Sequence, residues 1–251
     1  MNEGKQVEYI ANFSGGKDST ATIILAHEQN EPLDEIVFSE VMYNETISGE
    51  LPEHIDFIKN IAFPLFQNWG YKTRVLRTKT TYIDLFYHTL KRSRYPERIG
   101  KKAGFPMAGK CSVNRDCKVK AIKEYIASKG QTEIRQYIGI AVDEPTRLKR
   151  LNEKQISLLA KYNYTEEMAK EKAREYGLLS PCYDYSTRGG CWFCPNASIR
   201  ELKHLRSNHK NLWDELLRLE EIPDIVGDVW NTRNRVSIHE IEKQLFWEMR
   251  K

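Results

Sequence analysis

Val7-Glu8-Tyr9-Ile10-Ala11-Asn12-Phe13 alternates in character along the chain, then Ser14-Gly15-Gly16 interrupts it, and Lys17-Asp18-Ser19 leads into the apolar run Thr20-Ala21-Thr22-Ile23-Ile24-Leu25-Ala26-His27. The first segment has the period of two that a strand requires, and the last reads as a buried helix. A strand, a glycine turn and a helix in immediate succession form the opening unit of an α/β fold. The next segments repeat the alternation. Asp34 to Ser39 reads as a second strand, and Pro52 to Trp69 as a helix with Pro52 in its first turn and a kink at Pro64. Arg74-Val75-Leu76 reads as a third strand and Tyr82 to Leu90 as a third helix, while Gln131 to Ala141 supplies another strand. Strands alternating with helices predict a parallel sheet with right-handed crossovers and helices on both faces. In such sheets ligands bind beyond the carboxyl ends of the strands, so the Ser14-Gly15-Gly16 turn and the Asp143-Glu144-Pro145 segment are expected to face one crevice.

From Arg147 onward the pattern turns helical, with helices expected at 152–162, 165–176, 198–206 and 209–221. A final helix opens at Ser237-Ile238-His239-Glu240, a capping box. The expected organisation is an α/β nucleotide-binding domain over residues 1–150. Residues 151–251, a helical region with a cysteine-bearing loop, pack on it.

The 251 residues are 40% hydrophobic and 29% charged, which excludes a disordered tail, a collagen-like fibre and a disulfide mini-protein. The net charge of +4 permits nucleic-acid contact without requiring it. No apolar run reaches the ~18 residues of a membrane span. The first residues carry no basic region leading into an apolar stretch, so the cytoplasm is the expected compartment. In a reducing compartment the 5 Cys serve as metal ligands or catalysts more readily than as disulfides.

The glycine turn has the chemistry of an anion cradle. Gly15 and Gly16 let several backbone N–H groups converge, and the helix N-terminus adds positive dipole. Ser14, Ser19 and Thr20 offer hydroxyls, Lys17 a charge, and Asp18 a ligand for a magnesium ion travelling with phosphates. It is not a Walker A loop, because Ala11 stands where the first glycine would be and Asp18 follows the lysine. The plain alternative is a tight turn before a capped helix.

Three cysteines, Cys182, Cys191 and Cys194, share one loop, with Cys191-Trp192-Phe193-Cys194 spaced for two thiolates on one metal. Cys111 or Cys117 could supply a fourth, Cys111 being preferred. Cys117 is expected on a helix opposite the Val119/Ile122/Ile126 stripe, and so outside the core. Four thiolates suit a [4Fe–4S] cluster or a structural zinc. Five inert or redox thiols are the plain alternative.

From Lys91 to Glu124 there are eleven Lys or Arg against three acids, with Tyr95 and Phe105 among them. Such a stretch could follow a phosphate backbone while the aromatics stack on bases, or it could be a solvated face or a clamp on the phosphates of a bound nucleotide.

Ser14-Gly15-Gly16-Lys17-Asp18-Ser19 matches the Ser-Gly-Gly-x-Asp-Ser signature of the PP-loop ATP pyrophosphatases, and the chain resembles their PAPS-reductase-like (adenine nucleotide alpha-hydrolase) branch. Gly139-Ile140-Ala141-Val142-Asp143-Glu144-Pro145-Thr146-Arg147 is similar to that branch's Gly-x-x-x-x-Glu-Ser-x-x-Arg block, with Pro145 in place of Ser. Cys117-Lys118-Val119-Lys120-Ala121-Ile122 is similar to its Lys-Ile-Lys-Pro-Ile helix start, with Ala121 in place of Pro. The resemblance implies a mostly parallel five-stranded sheet that binds ATP or a related adenine nucleotide with Mg2+. It also implies attack on the α-phosphorus with release of pyrophosphate. Lys17, Asp18 and Arg147 become catalytic candidates. Ser14, Gly15, Gly16, Ser19, Thr20, Ser39, Glu40, Gly139 and Glu144 become nucleotide contacts. A loop with one remote ligand resembles cluster-bearing members, so Cys111, Cys182, Cys191 and Cys194 are the expected [4Fe–4S] ligands, with zinc as the alternative.

Three functions follow as expectations. The first is adenylation of a nucleic-acid or small-molecule acceptor for sulfur transfer, from a donor the sequence does not name. The second is a phosphoadenylyl-sulfate or adenylyl-sulfate reductase, disfavoured because no Cys follows Cys194 where those enzymes carry a C-terminal nucleophile. The third is a non-catalytic, zinc-stabilised nucleotide- or nucleic-acid-binding module.

Overall fold

In the computed structural model, residues 7–107, 111–187 and 189–248 are described. The elements run β1 (Val7–Phe13), α1 (Lys17–Glu28), β2 (Glu35–Ser39), α2 (Pro52–Phe57), α3 (Phe63–Asn68), β3 (Lys72–Leu76), α4 (Tyr82–Phe86) and β4 (Lys102–Gly104). They continue with α5 (Lys120–Ser128), β5 (Glu133–Tyr137), α6 (Pro145–Leu148), β6 (Gln155–Ile156), α7 (Leu158–Lys161) and α8 (Glu166–Glu175). The last are α9 (Ile199–Asn208), α10 (Lys210–Glu220), β7 (Ile225–Gly227) and α11 (Ile238–Glu248). No helix among the described residues is long and apolar enough to cross a membrane.

The chain forms two compact units that interleave in sequence. One comprises residues 1–40, 52–77 and 121–189, and the other 41–51, 78–120 and 190–251. The sequence reading instead divides the chain once, at residue 150.

The first unit holds a five-stranded sheet in the order β3-β2-β1-β5-β6, parallel throughout. The α/β class with a parallel five-stranded sheet is therefore as expected. Alternation decides which face each residue serves. Ala11 and Phe13 of β1 join Ile36 and Phe38 of β2 in a core covered by α1, α3, α7 and α8. Ile10, Val37 and Ile134 point the other way, onto Ala121, Ile122 and Ile126 of α5. A strand buried on both sides needs apolar residues at both parities, which the β2 segment Ile36-Val37-Phe38 supplies.

The expected kink at Pro64 takes the form of a π-helical turn, Ile58–Ala62, joining α2 to α3. Proline offers no N–H and its ring crowds the carbonyl four residues back, so the turn before it widens. The expected helix at 152–162 is corrected. Gln155–Ile156 pairs with Gln136–Tyr137 as the edge strand, and only Leu158–Lys161 is helical, capped by the Ser157 hydroxyl. Edge pairing overrides the helical propensity of that stretch. The helix expected to reach Leu90 ends at Phe86, because the backbone beyond it bonds instead to 100–103.

Glu35 locks the rim of the sheet. Its buried carboxylate accepts from Arg74 of β3 at 2.7 Å and from the Tyr125 hydroxyl of α5, with the Lys129 ammonium at 3.4 Å. Burial alone would push this carboxyl up, but the Tyr125 hydroxyl, Arg74 and Lys129 hold it below its ordinary value of 4.5. A depressed native pKa contributes stability that is complete above the unfolded value and is lost as pH falls through the native one. Glu35→Gln should therefore lower stability by about 1–3 kcal/mol at neutral pH, a figure discounted for the half-exposed Arg74. The gap from the native chain should close toward about pH 3. Thermal unfolding of both proteins across that range checks it; a gap independent of pH would contradict the assignment.

Candidate functional site

The sheet order reverses direction between β1 and β5, since β2 and β3 follow β1 on one side and β6 follows β5 on the other. The Ser14-Gly15-Gly16 turn leaves the carboxyl end of β1, and Gly139 to Glu144 follows the carboxyl end of β5. Both therefore flank the topological switch point, where α/β sheets bind ligands.

Within the turn, Gly15 sits at φ 73°, in the left-handed region, and a Cβ there would lie 2.6 Å from the His54 ring. The Ser19 hydroxyl accepts from the Ser14 N–H at 3.1 Å, donates to the Gly16 carbonyl at 3.0 Å, and lies 3.1 Å from the Ser14 hydroxyl. Gly139 meets this turn from the β5 side. A Cβ on it would stand 2.6 Å from the Ser19 backbone nitrogen, so only glycine lets the two loops touch. Thr20 is corrected: its buried hydroxyl donates to the Gly16 carbonyl at 3.0 Å, bracing α1 instead of facing a phosphate.

Lys17 bridges two carboxylates, Asp18 at 2.8 Å and Glu166 at 2.7 Å. Burial pushes the Asp18 carboxyl up, Glu166 and Glu144 add to that, and Lys17 opposes them. Burial would depress the Lys17 ammonium, yet Asp18 and Glu166 hold it above its ordinary value. Asp18 and Glu166 on one ammonium, with Glu144 close enough to push the Asp18 carboxyl up, suit a divalent cation with a polyphosphate at the end of a parallel sheet. Arg147 pairs with Glu144 on the first turn of α6 and is half exposed, and the other Glu144 oxygen accepts the Ala141 N–H at 3.2 Å. Ser39 ends β2 and Glu40 follows it. Glu40 is buried with Arg77 and Lys59 on its two oxygens, which leaves it a structural ion-pair node.

Sequence reasoning missed His54 and Tyr183. The Tyr183 hydroxyl accepts the Lys17 N–H at 2.8 Å, at the mouth of the anion cradle. His54 is buried, with one ring nitrogen 3.0 Å from the Ser14 carbonyl and the other 2.7 Å from the Ser180 hydroxyl. Neither lies near the glycine turn in sequence, so no local pattern marks them.

Cys182 belongs to this unit, its sulfur 3.8 Å from His54 Nδ1. Cys111, Cys191 and Cys194 belong to the second unit. There the Trp192 and Phe193 side chains of the Cys-x-x-Cys turn are buried against Tyr43 and Tyr82, with Phe193 stacked 3.9 Å from Tyr82. The Trp192 N–H donates to Gly49, its ring nitrogen donates to the Ser48 carbonyl, and Cys194 N–H closes the turn on Cys191. Burial raises the Cys191 thiol well above its ordinary pKa; Glu50, Cys194 and Cys111 act in the same sense and Lys118 against it. The fully buried Tyr82 hydroxyl has no hydrogen-bond partner among the described residues, and burial, with Tyr43 and the same three cysteines acting in the same sense, pushes it well above its ordinary pKa. A buried thiol beside a second one three residues on, next to an orphaned donor, suits a metal centre that would bind them as thiolates and offer sulfur acceptors to the donor.

Cys117 is corrected. It is buried in a π-helical turn, its thiol donating to the Thr80 carbonyl at 3.3 Å, and burial pushes its pKa up to about 11. Of the basic stretch, Lys118 pairs with buried Glu50, Arg115 pairs with Asp116, and Phe105 is buried edge-on to Phe86. Phe105 is thus unavailable for stacking on a base; Tyr95 is exposed, and Ala108-Gly109-Lys110 lies outside the described residues.

No family model matches the chain, and no curated protein matches it. Among solved structures, it is similar to that of phosphoadenylyl-sulfate (PAPS) reductase from Candida auris, a phosphate complex. The identity is 10% and the TM-score 0.44, over 73% of this chain and 81% of that one.

Gly139→Ala should push the β5 loop off α1 and weaken binding of a nucleoside triphosphate at least about tenfold. Titration calorimetry checks this, with unchanged far-UV circular dichroism as the control; native affinity in the variant would remove Gly139 from the site.

Proposed function

We propose that the chain is a PP-loop enzyme of sulfur chemistry that binds ATP or a related adenine nucleotide, with its phosphates on residues 14–19. The observation that carries this reading is the contact of Gly139 with the Ser19 backbone, which joins both signature segments at the switch point of a parallel sheet. The α1 N-terminus, Lys17 and the Ser14 hydroxyl would hold the pyrophosphate end, where negative charge grows as it leaves. Asp18, Glu144 and Glu166 are the residues for Mg2+, which would neutralise that charge. Arg147, released from Glu144, is placed to reach the same crevice. An acceptor oxygen forms its bond to the α-phosphorus as the bond to pyrophosphate breaks, leaving an adenylated acceptor. A sulfide-level nucleophile, a hydrosulfide or thiolate, then forms the bond to the acceptor as AMP leaves with the acceptor oxygen.

Of the expected ligands Cys111, Cys182, Cys191 and Cys194, the three of the second unit, Cys111, Cys191 and Cys194, are the thiolates that would hold a [4Fe–4S] cluster, whose chemistry when bound is the handling of sulfur or electrons, and Cys182 beside His54 stands as the fourth candidate. Tyr82 would donate its hydroxyl hydrogen toward that centre, and Lys118 would balance thiolate charge.

Two measurements test the proposal. Pyrophosphate release from ATP should be seen with the native chain and fall at least about a thousandfold in Asp18→Ala with little change in melting temperature; unchanged release would contradict the cation role. Anaerobic purification should give iron and sulfide that Cys191→Ser loses, whereas zinc alone would replace the cluster by a structural metal.

A further inference from the structure

The second unit contains a cavity of about 460 Å³ that has no part in the chemistry above. It lies beside the two-stranded sheet of β4 and β7, where Gly104 and Gly227 bring backbones together; a Cβ on Gly104 would stand 2.5 Å from the Gly227 carbonyl oxygen. Its apolar lining includes Leu85, Leu90 and Phe105, and Met107 is largely exposed. Arg98, Arg235, Ser112 and Thr232 supply the polar lining, the last a residue with a hydroxyl at Oγ1. That hydroxyl is buried and has no hydrogen-bond partner among the described residues, a condition native structures rarely leave unmet.

The segment that brings Arg98 to the cavity is strongly basic. Between residues 91 and 102 stand Lys91, Arg92, Arg94, Arg98, Lys101 and Lys102 against one acid, Glu97. Elsewhere in the chain Lys and Arg are repeatedly paired with carboxylates, but among the described residues none of these six is. Arg98 lies 4.3 Å over the ring of exposed Tyr95, which extends the lining outward as an aromatic platform. Arg235 is held by Asp228 through its terminal nitrogens, on a turn closed by the Asn231–Val236 bridge. The volume lies in the range of small-ligand pockets and accommodates one nucleobase with its sugar. An apolar slot that carries the uncompensated Arg98, with the exposed Tyr95 ring nearby in sequence to stack on a base, is the pattern of single-stranded nucleic-acid binding, in which bases stack and phosphates meet Lys and Arg.

We infer that this cavity takes one unstacked nucleotide of a single-stranded nucleic acid, its base among Leu85, Leu90 and Phe105 and its backbone phosphates on Arg98 and the Lys91–Lys102 arc. The Thr232 hydroxyl hydrogen-bonds the base edge or sugar. This deepens the proposed function by naming the acceptor as a nucleic-acid strand, and it rests on that reading for the chemistry but not for the binding.

Fluorescence anisotropy of a labelled single strand of about ten nucleotides, titrated with the full chain in the absence of ATP, tests it. Binding should weaken steeply between about 50 and 200 mM salt. Arg98→Glu should weaken it at least about tenfold, and Thr232→Val, which exchanges a hydroxyl for a methyl, about threefold to tenfold with unchanged melting temperature. A nucleoside monophosphate should compete only at concentrations at least about a hundredfold higher. The inference is overturned if the strand does not bind at low salt, if both variants bind it like the native chain, or if the monophosphate competes as well as the strand. Strand binding without pyrophosphate release would sink only the earlier reading, and release without strand binding only this one.

Discussion

Gly139 touches the first turn of α1 so closely that a single methyl group would drive them apart. Much of the first unit is arranged around that approach. It requires β1 and β5 to be neighbours and parallel, and the register Val7–Glu133 through Ala11–Tyr137 sets both loops at the same end of the sheet. It also requires Gly15 in a left-handed conformation, so that the chain can turn from β1 into α1 within three residues. That approach sets Asp18 near Glu144, and Lys17 joins Asp18 to Glu166 of α8. The electrostatics of the crevice are thus a consequence of a steric fit.

The second unit works by a different principle. Its cysteine turn is anchored by aromatic burial: Trp192 and Phe193 occupy the core with Tyr43 and Tyr82, and the two thiols on either side are positioned by default. The rigid face this makes is polar only at a few atoms. Lys118 and Glu50 form one buried pair, and the Tyr82 hydroxyl stands unmatched. Unmatched buried donors are costly, and of the three this unit keeps among the described residues, at Tyr82, Trp230 and Thr232, those at Tyr82 and Thr232 would be relieved by a ligand with acceptor atoms at the proposed sites.

Much of the α/β unit was legible because its strands are short and strictly patterned. β1 begins and ends where alternation does, and the proline helix carries its own explanation for the π-helical turn. The edge strand was not legible, because Gln155–Ile156 has no pattern of its own and exists only through pairing with β5. Of the site, the glycine turn could be read directly, since its function is local backbone geometry. His54 and Tyr183 could not, being brought to the turn from 40 and 166 positions away. The basic stretch was read as one block, yet packing splits it into paired residues, a buried Phe105 and an unpaired arc.

What the amino-acid order settled by itself is therefore whatever depends on near neighbours: the strand period, the turn that only glycine can make, the capping box Ser237–Glu240, and the Cys-x-x-Cys spacing. What only the tertiary structure decided is which distant groups share a dielectric environment. Thr20 and Ser19 are adjacent hydroxyls, but one braces a helix and the other organises the turn. Cys111 and Cys117 are six positions apart, and one is exposed while the other is sealed against the Thr80 carbonyl. Burial and partner choice are properties of the packed chain, because both depend on which segments exclude water together, and no local pattern encodes that.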